Sequence, residues 1–145
     1  MKYRNFVAVA LLISSLPGSG SATVLIAASE ARPPPADVYL RSTPHRDPGV
    51  KLEEPPPKLV SSPFNFNVAF VPHGKTEIDV GTLVAVYLNN PQVDLTSRLR
   101  QFTSGTGVRM DHAEAPPGRH LILLEIRDNK GGLTRKLIDL SVKKQ

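Results

Sequence analysis

The chain has 145 residues, enough for one domain with a core of ordinary size. It has no Cys, which excludes disulfides, a thiolate nucleophile, a Cys-based metal centre and a lipid-modified cysteine. A formal charge of +5 with no Trp, 3 Tyr and 5 Phe is no nucleic-acid footprint, and Lys2 and Arg4 supply two of those charges.

The chain opens with an address. "MKYRN" is short and basic, "FVAVALLISSL" (residues 6–16) is apolar, Pro17 and Gly18 break it, and "GSGSA" follows. This is the order of a secretory signal peptide: charged start, short apolar helix, breaker, small-residue cut. Gly20 and Ala22 supply the small side chains that signal peptidase needs, and Ser29 with Ala31 is a second pair. The expectation is a signal peptide over residues 1–31, cut near 22 or 31, in a periplasmic or secreted protein. Eleven apolar residues are too few to span a bilayer, which takes about twenty. "TVLIAA" (residues 23–28) follows, however, so an uncleaved N-terminal anchor stays open as the alternative.

Residues 32–57 read as a linker. Eight prolines fall in residues 33–57. Proline fixes φ and removes a backbone donor, which favours an extended spacer over a packed element.

The folded part is expected over residues 58–145. "FNFNVAF" (residues 64–70) alternates, with Phe64, Phe66, Val68 and Phe70 on one face and Asn65 and Asn67 on the other. "TLVAVYL" (residues 82–88) is a second strand and "SRLRQF" (residues 97–102) a weaker third, with Leu99 inward. "VRMDHA" (residues 108–113) alternates again, with Val108, Met110 and His112 on one side. After Pro116, Pro117 and Gly118 comes the long strand "RHLILLEIRD", with Ile122, Leu124 and Ile126 on one face. Residues 129–132 supply the φ > 0 positions of a hairpin, and "LTRKLIDLSV" returns with Ile138, Leu140 and Val142 inward. No amphipathic helix is expected. About seven strands at this spacing predict an all-β, Ig-like antiparallel sandwich.

The runs "IDVGTLVAVYLNNPQVDLTSRL" and "PPGRHLILLEIRDNKGGLTRKLIDLSV" resemble bacterial Ig-like domains of exported proteins. In that family a Pro-Gly turn precedes a long strand, an Asp-x-x-Gly turn and a last strand. The resemblance implies a non-catalytic module. "PKLVSSPFNFNVAFVP" with the late "PPGRHLILLEI" is similar in layout to the copper-resistance periplasmic CopC-like domains, which hold copper through His and Met. Their histidine at the mature N-terminus has no counterpart at Pro57.

Candidate chemistry is sparse. Of the four histidines His45 lies in the linker, and His112, His120 and His73 with Met110 are the candidate set for copper or zinc, by imidazole and thioether ligation. Ser97, Ser104, Asp111 and His112 supply the letters of a hydrolase without a nucleophile elbow, so no catalytic residue is expected. Arg98 and Arg100 share one strand face by the period of two, as do Arg119 and Arg127, and these four are the candidate partner-binding stripe. The expected function is an exported, non-enzymatic interaction module, an accessory subunit of another envelope or membrane protein with no cofactor. The alternative is a periplasmic copper or zinc carrier. Nucleic acid is not expected as a partner, and exposed edge strands leave a homo-oligomer open.

Overall fold

The structure is a computed structural model that describes residues 21–32, 48–56, 59–89 and 91–144. The basic start, the apolar run at 6–16 and most of the proline-rich stretch lie outside the described residues.

Two sheets carry the fold. The first has the order β1 (Thr23–Val24), β7 (Gly107–Glu114), β3 (Phe64–Val71), β2 (Gly49–Glu54), with β6 (Thr103–Ser104) also paired to β7. The second has the order β5 (Val93–Asp94), β4 (Ile78–Tyr87), β8 (Gly118–Asp128), β9 (Leu133–Val142). One core lies between them, with Phe66, Val68, Val108 and Met110 from one sheet against Leu83, Tyr87, Ile122, Leu124, Ile126 and Ile138 from the other. The molecule is therefore an all-β sandwich.

The alternating runs form the strands their period implies. Phe64, Phe66, Val68 and Phe70 are all buried, as are Ile122, Leu124 and Ile126 on β8 and Ile138, Leu140 and Val142 on β9. The β8–β9 hairpin turns at Gly131, whose φ of 84° is the left-handed conformation expected there. Asp128 shapes this turn. Its carboxylate accepts from the Lys130 and Gly132 N–H groups at 2.9 and 2.8 Å. Burial opposes its charge, but those N–H groups outweigh burial and hold the carboxyl below its usual range.

Four expectations are corrected. Residues 97–102 are no strand, because α1 (Thr96–Arg100) turns there. Leu95 and Leu99, four apart, are both fully buried, and Phe102 packs against the same core, which is helical and not alternating spacing. Second, His112 does not share a face with Val108 and Met110. The β3–β7 register slips between Phe64 and Phe66, and His112 takes a φ of 54° there. This bulge shifts the phase by one, so His112 is exposed and Ala113 is buried.

Third, the sandwich begins well before residue 58. Strand β2, in the presumed linker, pairs antiparallel with β3 from Gly49↔Val71 to Glu54↔Asn67. Asn67, expected to face water, lies buried against the Glu54 side chain. Fourth, residues inside the presumed signal peptide are core. Strand β1 pairs parallel with β7, and Leu25 and Ile26 are 0% and 2% exposed.

Candidate functional site

The four proposed metal ligands do not converge. Met110 and His112 stand on β7 and His120 on β8, in different sheets, so the two histidines do not meet across neighbouring strands. Met110 is fully buried among core side chains, and His73 is exposed on the loop after β3. No group of three or more His, Asp or Glu suited to a metal occurs among the described residues.

His120 has a structural position. It is 1% exposed and stands edge-on to Tyr87, with ring centroids 5.5 Å apart. Its Nε2 lies 2.8 Å from the Pro116 carbonyl and its Nδ1 lies 3.0 Å from the Tyr87 hydroxyl. Burial pushes its pKa down, more than the Pro116 hydrogen bond raises it. The favoured neutral ring donates through Nε2 to Pro116, so Nδ1 accepts from Tyr87. The Tyr87 hydroxyl has one proton, and the Arg32 carbonyl at 3.1 Å competes for it.

The four arginines form no single stripe. Arg98 and Arg100 sit on α1, where residues two apart point to different sides. Arg98 turns inward to Glu30, and Arg100 is exposed. Arg119 and Arg127 do share the outer face of β8, and both are exposed. Arg119 is held bidentate by Asp139, with contacts of 2.9 and 2.7 Å.

That outer face is the more informative surface. The register lines Val86, Leu123 and Leu137 up across three strands, each half-buried. Val84, in the next row, is 41% exposed. Its row-mates Glu125 and Arg135 form an ion pair, and Arg119 with Asp139 forms another on the far side. The result is an apolar band between two neutralised charge pairs.

A second feature lies at the end of the sandwich where β7 crosses to β8. Two adjoining hollows of about 300 and 410 Å³ share Ser62, Glu114 and Ala115. Val24 and Ile26 wall one side, and Lys143 and Lys144 flank the other. The N-terminal arm, residues 21–32, is locked beside it. Leu25 and Ile26 N–H groups both donate to the Glu114 carbonyl, at 2.9 and 3.1 Å. The Glu30 carboxylate grips Arg98 through both oxygens, at 2.6 and 2.7 Å. The Arg98 guanidinium also donates to the Leu25 carbonyl at 3.0 Å, and Asn89 donates to the Glu30 carbonyl.

Sequence reasoning missed this lock. Its signal was "TVLIAA", an apolar run too short to span a membrane and long enough to plug a core. Among the described residues no helix is long and apolar enough to cross a membrane. Compared with protein-family models, with curated proteins and with solved structures, the chain finds no match.

Proposed function

We propose that this chain is an exported, non-catalytic, Ig-like interaction module that docks another envelope protein through the outer face of its four-stranded sheet. One observation carries the reading: the row Val86–Leu123–Leu137 with exposed Val84, bordered by the Arg119–Asp139 and Glu125–Arg135 pairs. An apolar centre with a polar rim is the composition of a protein–protein contact. Paired, solvent-exposed rim charges add little stability to the free molecule, but they orient a partner. Export is supported by the basic start, the apolar run and the small residues that follow it.

The test is affinity purification of the tagged protein from its native envelope beside its Val84→Lys variant, whose new charge faces Glu125 across the strands. Val84 is solvent-facing, so the variant is expected to keep the parent's thermal melt. The expected result is a stoichiometric partner with the parent protein and at least a tenfold loss with the variant, which corresponds to about 1.4 kcal/mol. Equal recovery of the partner by both proteins would show that another surface is used. A protein with one copper or zinc per chain and no partner would favour the carrier alternative.

A further inference from the structure

We infer that signal peptidase cuts this chain between Ala22 and Thr23, so that the mature protein begins with β1; the inference rests on the export proposed above. The reaction is hydrolysis of one peptide bond. Water adds across the bond, Ala22 leaves with a carboxylate, and Thr23 gains an α-amino group.

Residue type alone permits two cuts. Gly20 with Ala22 and Ser29 with Ala31 both supply the small side chains the peptidase needs. The fold separates them. Ser21 and Ala22 are exposed and belong to no strand. From Thr23 onward the chain is part of the sandwich. Thr23 and Val24 extend the first sheet alongside Ala113 and Glu114. Leu25 and Ile26 are core residues at 0% and 2% exposure. Glu30 holds Arg98 with both carboxylate oxygens, and Arg98 in turn holds the Leu25 carbonyl.

A cut after Ala31 would remove every one of these groups. The core would lose two aliphatic side chains at once, and the half-buried Arg98 would lose its carboxylate. A cut after Ala22 removes none of them. The apolar stretch "TVLIAA" is on this account no extension of the leader. It is the first element of the folded protein.

The test expresses the full chain with a C-terminal tag in a Gram-negative host. Intact mass and N-terminal sequencing are then read on the envelope and secreted fractions. The expected terminus is Thr23. The variant Ala22→Leu should abolish the Thr23 terminus, with precursor accumulating, while Ala31→Leu should be processed as the parent is. Both alterations avoid the core: Ala22 is exposed and Ala31 only half-buried. An exported chain beginning at Arg32, or at any residue other than Thr23, would overturn the inference and leave export standing. So would normal processing of Ala22→Leu. A chain that keeps Met1 and is never exported would overturn both.

Discussion

Glu30 ties the N-terminal arm to Arg98, and His120 lies buried against Tyr87 and Pro116; each makes a pH-dependent prediction. Hydrogen bonding by Arg98 is the largest influence on Glu30 and holds its carboxyl below the usual 4.5, against the opposing effect of burial. A carboxyl depressed in the folded state contributes stability above its unfolded pKa and loses it as pH falls through the folded one. The protein should therefore lose stability as pH drops below about 4.5. Glu30→Gln should cost about 1–2 kcal/mol at neutral pH and flatten that acid limb, read by urea unfolding from pH 3 to 7. His120 behaves differently. Burial is the larger influence and lowers its pKa from 6.5, so folding favours the neutral ring. That preference contributes fully above 6.5 and is lost as pH falls towards the folded pKa. The melting temperature should fall as pH drops below 6.5, and His120→Gln should remove that step. A His120→Gln variant with the parent's pH profile would refute the assignment.

Among the elements, the strands with an unbroken period were legible and those with a defect were not. Strands β3, β8 and β9 alternate over most of their length, and burial follows except at Asn67, Leu121 and Lys136. Strand β7 carries a bulge at His112, and one extra residue reverses the facing of everything beyond it. Helix α1 has five residues, too few for its period to outweigh a strand reading. The last strand poses a different question. Strand β9 is an edge of its sheet and ten residues long. Such an edge invites pairing with a second molecule unless something blocks it. Lys136 sits at the parity of buried Thr134 and Ile138, yet it is exposed. A charge at an inward-facing position of an edge strand opposes further pairing. Lys136→Ile should therefore promote self-association, seen as a shift to dimers or larger species in size-exclusion chromatography with light scattering. A variant that stays at the parent's mass would show that the edge is guarded elsewhere.

For the whole molecule, closure depends on residues far apart in the chain. The arm pairs with β7 some ninety positions later, and Thr134 donates to the Pro48 carbonyl to join β9 to the start of β2. Val60 adds a further link by bridging Val142. Leu25 is the test of whether the arm is part of the cooperative unit. It is fully buried, so Leu25→Ala should cost about 3 kcal/mol and lower the melting temperature by about 10 °C in a single transition. A two-step melt, with the main transition unmoved, would show the arm to be an independent attachment.

The sequence by itself determined the class of fold, because alternation with a period of two requires a sheet with one wet and one dry face. It also determined most of the inward residues of β3, β8 and β9. Only the tertiary structure decided where the domain begins. Composition marked residues 1–57 as leader and linker, since apolar and proline-rich runs have the same letters whether they plug a core or not. The partners that settle the matter, Glu114 for the arm, Arg98 for Glu30 and β3 for β2, are distant in sequence. The fate of the candidate site followed the same logic. Whether His112 and His120 meet depends on which sheet each strand joins, and strand pairing is a long-range property that local spacing does not encode.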